Sequence, residues 1–138
     1  MSVSVIGYGT FITHGHWKNK SNVRVCTVKN YIRIFPKGNW FPYVLPSEGA
    51  SFKALIFEVN KQELEALDRY EGVHAGLYKR VETDVFLKND EKKRAYIYVP
   101  TEKTINSQDL SVDLDKNDRW KEEMYRYAEI RDKFPELF

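Results

Sequence analysis

Apolar and polar positions along the chain fall into short runs divided by turn residues. Val3 to Tyr8 is β-branched and apolar and predicts a buried first strand, which ends in Gly7-Tyr8-Gly9-Thr10. Val23 to Val28 and Tyr31 to Phe35 predict two more strands, or one strand bent at Lys29-Asn30. Pro36-Lys37-Gly38-Asn39 is turn chemistry, and Trp40 to Pro46 follows as an aromatic stretch held extended by two prolines. Ser47-Glu48-Gly49 predicts another turn and Phe52 to Val59 a strand. The pattern then changes. Lys61 to Glu71 has no Gly or Pro, is rich in strong helix formers and places Leu64 and Leu67 on one face, which predicts a helix. Asn60 and Glu63 supply a capping box at its start, and Gly72 the residue that tolerates positive φ at its end.

Beyond Gly72 the period returns to two. Tyr78 to Leu87 sets Val81, Val85 and Leu87 on one side; Lys88 to Lys93 is a charged turn and Ala95 to Val99 the partner strand of a hairpin. Residues 101–118 are polar and aperiodic and read as a loop. Trp120, Met124, Tyr127 and Ala128 mark the inner face of a last helix over 119–134, ended by Pro135. Several strands and two helices without a βαβ rhythm predict an α+β fold with a mostly antiparallel sheet or small barrel. With no repeat or linker, residues 1–138 form one domain, the loop and last helix being appended to it.

Composition narrows the class of protein. A 42% hydrophobic share over 138 residues is globular and sufficient for a core. A net charge of +2 with no long basic run gives no support to a nucleic-acid partner. Cys26 is the single cysteine, read as a small buried hydrophobe; with no disulfide possible within the chain, a reducing compartment is expected. No apolar run is long enough to span a bilayer and the N-terminus lacks secretory character, so the expectation is a cytoplasmic protein without membrane contact.

Glu71 is the candidate for chemistry. Seven residues beyond Leu64 is almost two helical turns, so this acid lies on the apolar face just where the helix ends. A carboxylate there is costly unless paired, which leaves two readings: a group facing a cavity, or a helix-end acid bridged to Arg80 or Lys79. The Tyr8-Gly9-Thr10 turn can aim successive amides at one spot and form a nest for an anion, although turn glycines alone are common. His14 and His16 lack the further ligands that a metal site needs; they read as solvent-facing hydrogen-bonding groups, and no metal is assigned. The Trp40–Pro46 stretch reads as a pocket wall or as an edge packed on the core.

The order of these elements resembles the gamma-glutamylcyclotransferase-like superfamily. The resemblance rests on a first strand into Tyr8-Gly9-Thr10, then FPYVLP, a strand into Asn60, LDRYEGV, Tyr78 with Arg80, and Tyr98-Val99, and covers roughly residues 3–100. It implies a small mixed, mostly antiparallel β-barrel with flanking helices and a cavity. It further implies that Tyr8, Gly9, Thr10 and Phe11 bind the glutamyl end of a substrate through backbone amides, that Glu71 is the general acid/base, and that Tyr78 faces the cavity; Arg80 occupies a frequent basic position and joins the substrate-binding set. The implied reaction closes a gamma-glutamyl amide to 5-oxoproline and releases an amine or amino acid, with no cofactor. The implied partner is a small gamma-glutamyl molecule, and the chain is a monomer by default. Ala54, where many members have glycine, and Phe11, in place of a more usual leucine, are expected to narrow the cavity. A non-catalytic module binding a small carboxylated metabolite is the alternative, and an adaptor presenting Trp40 and Phe41 a third reading.

Overall fold

The computed structural model describes residues 2–36, 42–107, 114–115 and 120–138. Five strands close a barrel: β1 (Val3–Gly7), β2 (Ser21–Pro36), β3 (Tyr43–Val59), β4 (Tyr78–Phe86) and β5 (Lys92–Pro100). They follow one another around it in the order β3-β1-β5-β4-β2, and β2 pairs with β3 to close the ring. Only β1 and β5 run parallel; the other pairings are antiparallel. Of the sheet or small barrel that the periodicity allows, this is the barrel, mixed and mostly antiparallel as the resemblance implies.

Strand alternation separates two apolar layers. Ile6, Val28, Ile56, Val85 and Ile97, one from each of the five strands, meet in the barrel interior. Their neighbours Val5, Phe57 and Tyr98 face outward and are covered by Phe11 and Ile12 of the one-turn helix α1 (Thr10–Thr13), by Leu67 of α2 (Lys61–Tyr70) and by the C-terminal segment. Cys26 is buried in the interior layer, as expected of a small hydrophobe.

Some elements depart from the sequence reading. The two segments around Lys29-Asn30 are one strand, β2, with Asn30 at φ +67° in a register shift. Ser47-Glu48-Gly49 does not reverse the chain. It lies inside the 17-residue β3 as a bulge: Lys29 pairs with Ser51 and Tyr31 with Pro46, and the Gly49 amide donates to Asn30 Oδ1 at 3.1 Å. Residues 101–118 are not a plain loop, since Thr101 Oγ1 accepts from the Thr104 amide at the start of α3 (Glu102–Ser107), and β6 (Leu114–Asp115) pairs with the end of β2. The last helix is two, α4 (Trp120–Tyr125) and α5 (Ala128–Lys133). Met124 is buried as expected, but Tyr127 and Ala128 are exposed; the break resets the helical phase, and Ile130, Phe134 and Leu137 face inward instead. Trp40 and Phe41, like the Trp120 side chain, lie outside the described residues.

Helix α2 forms as its sequence dictates. The Glu63 amide donates to Asn60 Oδ1 at 2.8 Å and the Asn60 amide to Glu63 Oε1 at 2.9 Å, completing the capping box. Its C-terminus is a Schellman closure, with Val73 N–H on Asp68 O at 3.0 Å and Gly72 N–H on Arg69 O at 3.1 Å. Gly72 adopts φ +68°, and a Cβ there would lie 2.8 Å from Leu77 Cδ1. Gly72→Ala is therefore expected to lower unfolding free energy by about 1–2 kcal/mol, chiefly from the left-handed backbone. Urea denaturation measures this, and an unshifted midpoint would remove the helix stop from the architecture of the site.

Candidate active site

Two chain reversals meet at one end of the barrel. The first follows β1. A Cβ on Gly9 would lie 3.0 Å from Pro42 Cγ, so glycine lets this turn pack against the aromatic segment. The Gly9 carbonyl accepts from the Ile12 and Thr13 amides at 2.9 and 3.2 Å, whereas the amides of Gly9, Thr10 and Phe11 donate to nothing among the described residues. The second reversal is the end of α2, where Glu71 is the C-cap residue.

Between them lies a cavity of about 230 Å³. Of the seven residues expected to build the site, six line it: Tyr8, Gly9, Thr10, Phe11, Glu71 and Tyr78. Sequence reasoning missed two of the remaining lining groups, His14 and Tyr70. Tyr70 adjoins Glu71 in LDRYEG, a signal available in the sequence; His14 has none beyond proximity to the first turn. Pro42 and Tyr43 also line the cavity, which accords with the pocket-wall reading of their segment. Ala54 is buried in the barrel interior and is not a lining residue.

The electrostatics centre on Glu71. No hydrogen bond or ion pair reaches its carboxyl among the described residues, and burial pushes its pKa up to about 7. Near neutral pH it is thus divided between acid and carboxylate. Three tyrosines surround it. Burial first, and then the charge of Glu71 among other groups, raises the pKa of Tyr8, Tyr43 and Tyr78, so all three keep their protons. The Tyr78 hydroxyl is hydrogen-bonded to Tyr43, whose ring stacks on it at 5.9 Å and 12°. Tyr8 donates to the Tyr98 carbonyl at 2.8 Å.

Arg80 lies apart from the other six. It is not among the cavity-lining residues: its Nη1 donates to both carboxylate oxygens of Asp68, at 2.9 and 2.7 Å, and its guanidinium lies over the Tyr96 ring. The bridge from Glu71 to Arg80 is excluded for the same reason. Tyr98 completes the cluster by donating to Asp68 Oδ1 at 2.6 Å. Asp68, which sequence reasoning passed over, thus fastens α2 to β4 and β5 three residues before Glu71.

The histidines differ from one another. Exposed His14 has Nδ1 3.0 Å from the Tyr70 hydroxyl, in keeping with a hydrogen-bonding role. His16 is half-buried against the Tyr70 and Phe11 rings, and desolvation, followed by the charges of His14 and Lys20, lowers its pKa. Among the described residues no group of three His, Cys, Asp or Glu side chains is placed to hold a metal.

The barrel, its flanking helices and this cavity define a class of protein that the comparisons identify. Residues 5–122 match the sequence model of the family described as "Gamma-glutamyl cyclotransferase, AIG2-like", and the chain belongs to that family. The match extends to residue 122, past the point near residue 100 at which the sequence resemblance ends. Among solved structures, one named gamma-glutamyl cyclotransferase shares 16% identity at a TM-score of 0.61, covering 86% of this chain and 90% of its own. A protein from Arabidopsis thaliana solved in solution shares 20% at a TM-score of 0.67, covering 99% and 90%. An AIG2-like protein from Mus musculus shares 21% at 0.57, covering 71% and 76%. At these identities the likeness carries the fold. No curated protein gives a significant match.

Proposed function

We propose that this protein is an enzyme of the gamma-glutamyl cyclotransferase type, cyclising a gamma-glutamyl amide to 5-oxoproline with Glu71 as general acid and base. The observation that carries this reading is the half-buried Glu71 carboxyl, without a partner among the described residues, in a cavity shared with the Tyr8–Phe11 turn. The substrate's α-amine attacks its own γ-carbonyl carbon. A ring C–N bond forms and the bond to the departing nitrogen breaks; the α-ammonium sheds two protons in becoming the lactam N–H, one reaching the departing nitrogen so that it leaves as an amine and the other converting it to an ammonium or passing to solvent. Holding the chain folded makes the attack intramolecular, which supplies much of the acceleration. A carboxyl whose pKa lies near neutrality suits both halves of the proton transfer, accepting from the α-ammonium and then donating to the leaving amine. The Gly9, Thr10 and Phe11 amides would receive the α-carboxylate or the developing oxyanion. With Arg80 committed to Asp68, no arginine or lysine is among the described lining residues, and these amides are the donors the turn itself supplies.

The test is 5-oxoproline release from a panel of gamma-glutamyl amino acids and amines. On a competent substrate, kcat/KM is expected to rise with pH through an acidic limb centred near the Glu71 value of about 7. A limb centred near the ordinary carboxylate range would take Glu71 out of the base role. Absence of turnover across the panel would favour the metabolite-binding module of the same fold.

A further inference from the structure

Strand β4 begins in the candidate active site with Tyr78 and ends, at Phe86, in a second and larger cavity of about 430 Å³. Eight residue steps separate the two, roughly 25 Å of extended chain, so the cavities are distinct. The second is formed by the Val23–Thr27 edge of β2, Lys53 of β3, the β4–β5 turn and the C-terminal segment around Phe134. Its size falls within the usual range of ligand pockets, roughly 300–1,000 Å³.

The lining has two characters. Val23, Val25, Phe86, Leu87 and Phe134 offer an apolar surface. Against it stand four basic side chains, Arg24, Lys53, Lys88 and Lys133, and two acidic ones, Glu91 and Glu136. Lys133 is partly neutralised by Glu129 at 3.7 Å, but Arg24, Lys53 and Lys88 form no ion pair among the described residues. Arg24 Nε, moreover, is buried without a hydrogen-bond partner. Cys26 is among the lining residues as well, but its side chain is buried in the barrel interior and burial pushes its pKa up to about 12 even with Lys53 and Arg24 acting in the opposite direction, so it is not a nucleophile.

We propose that this second cavity binds a small organic anion with an apolar body, the anionic group meeting Arg24, Lys53 and Lys88 and the body lying against Val25, Phe86 and Phe134. The site takes no part in the proposed cyclisation and stands or falls without it. Its probe is 1-anilinonaphthalene-8-sulfonate, titrated into the full chain by fluorescence, with N-phenyl-1-naphthylamine, the same ring system without the sulfonate, as the uncharged control. Saturable one-site binding is expected, weakened by about tenfold or more in Arg24→Gln, as the loss of a charge-assisted hydrogen bond requires. Lys53→Gln, on an exposed residue whose replacement spares the core, is expected to weaken binding by about threefold or more. Glu71→Gln is expected to leave it unchanged. Equal affinity for the uncharged probe, no saturable binding, or indifference to the substitutions would overturn the proposal. Should Arg24→Gln fail to fold, Lys53→Gln and the uncharged probe decide.

Discussion

Glu71→Gln is expected to lower kcat for 5-oxoproline release by about 10²–10⁴-fold while leaving KM within a few-fold, the range general acid–base groups command. Glutamine preserves the volume of the side chain and its place at the end of α2, but it can neither take a proton from the α-ammonium nor return one to the leaving amine. What survives is the positioning of the substrate. The same substitution should change stability, with a sign fixed by the direction of the pKa shift. Burial raises the folded-state pKa to about 7 from an ordinary 4.5, so between those pH values the folded chain holds a proton that the unfolded chain has released. Unfolding free energy therefore falls as pH rises through that window and is flat on either side. Glutamine does not ionise. The variant should match the wild type at pH 4 and exceed it at pH 8 by roughly 1–3 kcal/mol, allowing for the partial exposure of the group. Urea titrations at the two pH values measure the crossover. A variant equally stable at both, relative to the wild type, would mean that the carboxyl ionises as freely as in water.

Much of this site is legible in the sequence because it is built from local rules. The capping box and the glycine stop each involve residues within a few positions of one another, and together they fix where Glu71 emerges. The Tyr8–Phe11 turn is equally local. What the sequence does not show depends on partners far away in the chain. Arg80 joined the substrate-binding set through the resemblance alone; it shares a face of β4 with Tyr78, but two strand residues advance roughly 7 Å, and at that depth the helix presents Asp68, one turn before Glu71. Nothing near Arg80 in the chain says which carboxylate it will meet. The Ser47–Gly49 segment has turn residues that also suit a bulge, and the choice was made by Asn30, across the sheet, receiving the Gly49 amide. Closure of the ring through parallel β1 and β5 is likewise a matter of long-range pairing. The short α3 and the broken C-terminal helix lack the length over which helical periodicity can be read.

Asp68→Ala is expected to cost about 2–4 kcal/mol of stability and to reduce kcat at the same time. The Asp68 and Arg80 side chains are only 15% and 27% exposed, so removing the carboxylate strands a mostly sheltered guanidinium and leaves the Tyr98 hydroxyl, on a fully buried residue, without its acceptor. The loss falls short of that for a wholly buried pair because Arg80 can still reach water. Asp68→Asn retains an acceptor for both donors and should lose roughly 1–2 kcal/mol, mainly the charge-assisted part of the bonds. The functional consequence follows from the helix. With α2 released from β4 and β5, the Glu71 carboxyl is no longer fixed relative to the Tyr8–Phe11 amides, and kcat should fall more than KM rises. Arg80→Met separates an arginine that touches substrate from one that acts through Asp68. If Arg80 acts only through Asp68, the double variant with Asp68→Ala should be little worse than either single change, and KM should barely move in Arg80→Met. A large rise in KM for Arg80→Met, with kcat and stability preserved, would return the arginine to the substrate. Additive losses would instead mean that the contact between Arg80 and Asp68 contributes nothing to holding the helix on the barrel.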